Sequence, residues 1–169
     1  SDGKEAFPLQ LDIVQSVLRE ILPKGDRKML PVIYTITQDL WQLATATNEE
    51  EIEEEAARAI NKAFTVCITD RSALLLSRKF GCYKLLSLLM RVYFHRNQLS
   101  LCTQLLRALH TADMPLEREF PKSHLVAFHY YHGRFLMSSG KYQEALEQLR
   151  IALCYTFSAA LEGSNVAQN

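Results

Sequence analysis

Glycine and proline are scarce. Only 6 Gly and 5 Pro punctuate 169 residues, so the elements between them must be few and long, which favours helices. Charge of one sign is lacking too. Lys and Arg together number 19, as do Asp and Glu, and a formal net charge of 0 gives no long-range field to draw nucleic acid or an acidic membrane. Enzymatic signatures are missing: there is no phosphate-binding glycine loop, no G-x-S-x-G elbow, no H-E-x-x-H and no cysteine with an evident partner histidine. No enzyme activity, cofactor or metal is therefore expected. Cys67, Cys82, Cys102 and Cys154 form no C-x-x-C pair and read as small buried hydrophobes in a reducing compartment. Apolar runs such as Leu74–Leu76 and Leu85–Met90 fall far short of the roughly 20 residues a bilayer requires. Residues 1–7 are polar, and the expectation is a soluble intracellular protein with no membrane partner.

What the chain has is apolar periodicity. Hydrophobic residues make up 48% and recur at helical spacing throughout, while no stretch alternates with period two. The spacing predicts helices over about 8–22, 28–47, 49–68, 70–96, 99–111, 124–138 and 142–160. Pro31 sits in the first turn of the second, where its missing N–H costs nothing. Asn48 reads as the N-cap of the third, whose start carries Glu49, Glu50, Glu51, Glu53, Glu54 and Glu55, favoured there by the helix dipole. Gly81 interrupts the fourth, residues 113–121 form a loop, and Ser123 reads as the cap of the sixth. The expected architecture is all-α, a right-handed stack of about seven helices, with a flexible stretch 1–7, a helical-repeat domain 8–160 and a frayed tail 161–169.

The last helix pair has the most specific pattern. Gly133, Gly140, Tyr142, Ala145, Leu149 and Ala152 fall at tetratricopeptide spacing. Gly133 would let two helices press together, Gly140 supply a positive-φ turn, and Tyr142 pack back over it. Ala145 and Ala152 would keep the helices close, with Leu149 filling between them. The final helix has more apolar surface than one neighbour covers, so Leu146, Leu153, Tyr155 and Phe157 are candidate interface residues facing a further element or a partner. His129 and His132 lie on one face but lack further ligands for a metal. Arg78, Lys79 and Lys84 are candidate nucleic-acid contacts on the basic fourth helix, against the plainer reading of solvated rim positions.

Pro31–Leu40, Cys67–Arg71, Ser77–Gly81, Arg91–Phe94, Asn97–Leu109 and Tyr130–Arg134 occur in an order that resembles the PCI-domain subunits of the nuclear transcription-coupled mRNA export complex. The similarity covers about residues 28–157, the helical-repeat half of such a subunit, and a signalosome-associated paralogue fits the same residues. The resemblance implies a non-enzymatic scaffold at the nuclear pore. It also implies two partners: a large scaffold subunit, and a small acidic, disordered subunit shared with the proteasome lid. RNA or DNA binding in that family involves a winged helix that is not among these residues.

Overall fold

In a computed structural model of the chain, the backbone is described for residues 2–166 and the side chains for residues 5–160. Seven helices are described: α1 Asp2–Ser16, α2 Leu30–Thr47, α3 Glu50–Ile68, α4 Cys82–His95, α5 Ser100–Thr111, α6 Lys122–Ser138 and α7 Tyr142–Val166. No strand occurs among the described residues. The all-α expectation holds. Consecutive helices α1 to α4 pack in turn, α2, α4 and α6 stack as one layer, α5 leans on α4, and α7 pairs with α6.

The first helix begins at Asp2, within the stretch 1–7 expected to be flexible, and carries Pro8 inside it. The reason is Phe7, which is 3% exposed and joins Leu11 and Val14 in the core. Pro8 removes one intrahelical bond but lies on the exposed side. Past Ser16 the helix widens into an i→i+5 turn over Val17–Ile21, closed by Leu22 N–H donating to Val17 O at 2.8 Å. That turn keeps Leu18 and Leu22 buried alongside Val14. The expected tail 161–169 is helical in backbone as far as Val166, and its side chains lie outside the described residues.

Leu30, Ile33, Thr37, Leu40, Trp41 and Ala44 form the buried face of α2 at i, i+3, i+4 spacing. Thr37 can be buried because its hydroxyl donates to Ile33 O at 2.6 Å. Asn48 ends this helix and does not cap the next: it adopts the left-handed conformation with φ 52°. The N-cap of α3 is Glu49, whose N–H donates to Thr47 Oγ1 at 3.2 Å. Asparagine tolerates this backbone better than other L residues, which pay about 1–2 kcal/mol. Asn48→Ala should therefore lower stability by about 1 kcal/mol while Asn48→Gly keeps it, as denaturant midpoints will show.

The acidic start of α3 is docked, not merely solvated. His95 Nε2 lies 3.3 Å from Glu53 Oε1, and Arg96, its side chain 3% exposed, reaches Glu53 at 3.8 Å and Glu54 at 3.6 Å. Arg96 also donates to Glu50 O at 2.9 Å. The end of α4 is thereby tied to the start of α3.

The single helix expected over 70–96 is instead broken. Two short 3₁₀ turns, Leu74–Leu76 and Arg78–Gly81, precede α4. Asp70 breaks the helical path: its carboxylate accepts from Ser72 N at 3.2 Å, Ser72 Oγ at 2.8 Å, Arg78 N at 2.7 Å and Arg78 Nη2 at 2.8 Å. Ser77 then accepts from Lys79 N at 3.2 Å and starts the second turn. Gly81 thus stands at the N-cap of α4, where an added Cβ would meet Leu30 Cδ2 at 2.7 Å. Ser123 likewise sits inside α6, whose N-cap is Pro121; the Pro121 carbonyl accepts from His124 N at 3.0 Å.

Candidate interaction surface

The α6–α7 hairpin meets at Gly133. A Cβ there would lie 2.8 Å from Leu149 Cγ, 2.9 Å from Leu149 Cδ2 and 3.3 Å from Ala145 O, so only glycine permits this approach. Ala145 and Ala152 are buried and Leu149 is half-buried against α6. Gly140, with φ 75°, turns the chain between the two helices. Tyr142 does not pack back over that turn: it stands at the start of α7 and is 70% exposed.

The pair is also joined by polar contacts. Gln148 Oε1 accepts from His129 Nδ1 at 2.8 Å and from His132 Nδ1 at 3.1 Å, which joins the two histidines to α7 through one amide. His132 is held below the ordinary imidazole range, chiefly by burial. Among the described residues no group of three or more His, Cys, Asp or Glu is placed to hold a metal.

Successive residues on a helix turn by about 100°. Tyr142, Leu146, Leu153 and Phe157 therefore form one stripe along α7, and Leu146, Leu153 and Phe157 are 44%, 56% and 67% exposed. The antiparallel register set by Gly133 against Leu149 brings the exposed Met137 and Tyr130 of α6 to the same side. The result is an apolar strip on the outside of the hairpin. Tyr155 is not part of it. Its ring stacks on His129 at 5.8 Å and its hydroxyl donates to Glu117 Oε2 at 3.1 Å, which turns it inward.

The three candidate cations are not brought together. Arg78 is 13% exposed in its side chain and locked to Asp70 at 2.8 Å, so it is a structural ion pair and not a rim residue. Lys79 donates to Asp113 O from its own turn. Lys84 alone of the three lies on α4, beside a groove shared with α2 and α6.

The cysteines divide three to one. Burial pushes the Cys67 thiol up to about 12 and Cys102 up to about 11, and it raises Cys82 as well, so these are inert protonated thiols. Cys154 is exposed, against expectation, because it falls on the outer side of α7. Sequence reasoning also missed the exposed Leu74, Leu75 and Leu76, which read there as part of a helix.

Relatives are clear at the level of sequence. The protein CSN12 homolog of Schizosaccharomyces pombe is 34% identical over 176 residues, 91% of this chain and 42% of that protein. The protein CSN12 homolog of Neurospora crassa is 41% identical over 106 residues, 60% of this chain and 24% of that protein. The PCI domain-containing protein 2 of Xenopus laevis is 31% identical over 163 residues, 89% of this chain and 40% of that protein. The chain thus spans less than half the length of these relatives. No family model and no solved structure matches it.

Proposed function

We propose that this chain, a homologue of the CSN12 and PCI domain-containing protein 2 proteins, is the helical-repeat part of a non-enzymatic scaffold subunit in a PCI-containing complex that couples transcription to nuclear mRNA export. The exposed apolar strip of α7 carries this reading. A helical repeat buries each face against a neighbour, and Leu146, Leu153 and Phe157 are left 44%, 56% and 67% exposed. Exposed apolar patches of a few hundred Å2 mark interfaces.

In this reading the partners are a large scaffold subunit and a small, acidic, disordered subunit shared with the proteasome lid. RNA or DNA contact belongs to a winged helix outside this sequence, and the site of action is the nucleus, at the nuclear pore. The name of the CSN12 relatives favours a second reading, a subunit associated with the signalosome. Affinity capture of the intact parent protein from cells, followed by quantitative mass spectrometry, separates them. Enrichment of the mRNA export scaffold and the small acidic subunit is the expected result. Enrichment of signalosome subunits instead would replace the first reading with the second.

A further inference from the structure

An open cleft of about 630 Å3 lies between the end of α5, the loop that follows it and α6, with Gln148 of α7 on its border. Leu106, Leu109 and Met114 give it an apolar wall packed against the core. Its charges are of one sign. Asp113 and Glu117 line it and no lysine or arginine does. The Lys79 ammonium donates to the Asp113 carbonyl at 2.5 Å, and among the described residues it forms no ion pair with either carboxylate.

The polar atoms that face this cleft are acceptors. Gln148 Oε1 accepts from Nδ1 of both His129 and His132, so in the neutral rings Nδ1 holds the proton and Nε2 a lone pair. His129 is 4% exposed, and its Nε2 has no hydrogen-bond partner among the described residues. That nitrogen lies 3.5 Å from Glu117 Oε2, one acceptor facing another. Glu117 is held in place: Oε2 accepts from the Tyr155 hydroxyl at 3.1 Å, and the Tyr83 phenol lies beside it. Its side chain is still 40% exposed, so a ligand reaches the carboxylate from solvent. A buried acceptor next to a carboxylate calls for a cation with several donors.

Guanidinium meets that need better than ammonium. Its planar fork of N–H donors can bridge a carboxylate and an imidazole lone pair at once, whereas ammonium is a point charge. The apolar wall suits the aliphatic stem behind the fork. His110 and Asp113 are exposed at the mouth, which leaves room for the chain that presents the side chain. Nucleic acid is disfavoured by sign, since its phosphates would face Asp113 and Glu117.

We propose that the α5–α6 cleft receives an arginine side chain of a partner protein, its guanidinium bridging Glu117 and His129 Nε2 and its stem lying on Leu106, Leu109 and Met114. The site is separate from the α7 strip; it deepens the partner-holding reading above and rests on it.

The test is a titration of the 169-residue chain with acetyl-Gly-Arg-Gly-amide, followed by NMR through the imidazole nitrogens of His129 and His132. Saturable shifts in both rings at millimolar peptide are expected, with His129 Nε2 unprotonated at the start. The citrulline analogue, neutral and of similar shape, should bind about tenfold more weakly or not at all, because it forms no charge-assisted bond. Glu117→Gln should weaken the arginine peptide by the same factor. Because Glu117 also holds Tyr155, a second variant guards against misfolding. Asp113→Asn, at an exposed residue, should keep the melt and weaken binding in the same direction. Leu146→Glu with Leu153→Glu should leave the titration unchanged. Citrulline that binds as tightly as arginine, or an unchanged titration in both carboxylate variants, would overturn the assignment. So would a His129 ring that carries both protons at neutral pH, or no shift at all. Free arginine that binds more tightly than the blocked peptide would overturn a protein as the source of the side chain. None of these results touches the α7 strip, so the partner-holding reading stands or falls apart from the cleft.

Discussion

Asp70→Asn should cost about 3–5 kcal/mol, the usual penalty for leaving one member of a buried ion pair without its partner. Asp70 is 2% exposed in its side chain, and its carboxylate joins the end of α3, the 72–78 segment and Arg78. Arg78 in turn donates to Leu22 O, so the same pair fixes the chain leaving α1. A large drop in the denaturant midpoint, partly recovered by adding Arg78→Met, is the expected pattern in equilibrium unfolding. A change under about 1 kcal/mol would mean that solvent reaches the pair.

The pH dependence follows from the same groups. Burial opposes ionisation of Asp70, but hydrogen bonds from the Arg78 side chain and backbone and from Ser72 outweigh it and hold the carboxyl well below its usual range. A depressed folded value means stability that is complete above the unfolded pKa, about 3.9, and is lost only as pH falls below it. His124 acts earlier. Burial, with Lys84 nearby, lowers its imidazole to about 4, so the unfolded chain binds a proton that the folded one refuses. Stability should therefore decline from about pH 6.5 towards pH 4 through the histidine and fall again below about pH 4 through Asp70. His124→Phe should reduce the first decline, leaving the part that His132 contributes, and spare the second.

Gly133→Leu should cost about 1–3 kcal/mol or more by overfilling the α6–α7 contact. Even a bare Cβ meets Leu149 Cγ at 2.8 Å, so Gly133→Ala should already destabilise the pair, and Leu149→Ala should relieve part of the strain. Because α7 packs principally on α6, the loss should appear first as faster amide exchange in α7, ahead of the rest of the stack. Equal stability of the leucine variant and the parent chain would remove the close-packed hairpin from the account.

The helices were legible where apolar spacing alone decides. Leu30, Ile33, Leu40 and Ala44 on α2, and Gly133 with Ala145 on the last pair, sit where their periodicity put them. The 70–81 segment was not legible. Leu74–Leu76 looks like a helical core run, whereas the path is set by polar bonds from Asp70 and Ser77, whose strength depends on burial in the fold. Asn48 misled because its chemistry suits both an N-cap and a left-handed C-cap, and the two positions are adjacent in the chain, Asn48 closing α2 and Glu49 opening α3. Tyr142 shows the limit of a consensus, because it is exposed, and Tyr155 shows the limit of counting apolar residues, because its bond to Glu117 across 38 residues turns it inward from the expected interface. His129 and His132 share a face at i, i+3, which spacing shows, but Glu117 and Gln148, which complete their cleft, come from other elements and appear beside them only with the fold.

The central claim is that the outer strip of α7 is an interface. Static light scattering of the 169-residue chain across a concentration series, with and without Leu146→Glu, Leu153→Glu and Phe157→Glu together, tests it most directly. These side chains are 44–67% exposed, so the triple variant should melt like the parent chain. The account expects the parent chain to self-associate with rising concentration and the triple variant to stay monomeric. A parent chain that remains a stable monomer throughout would contradict it.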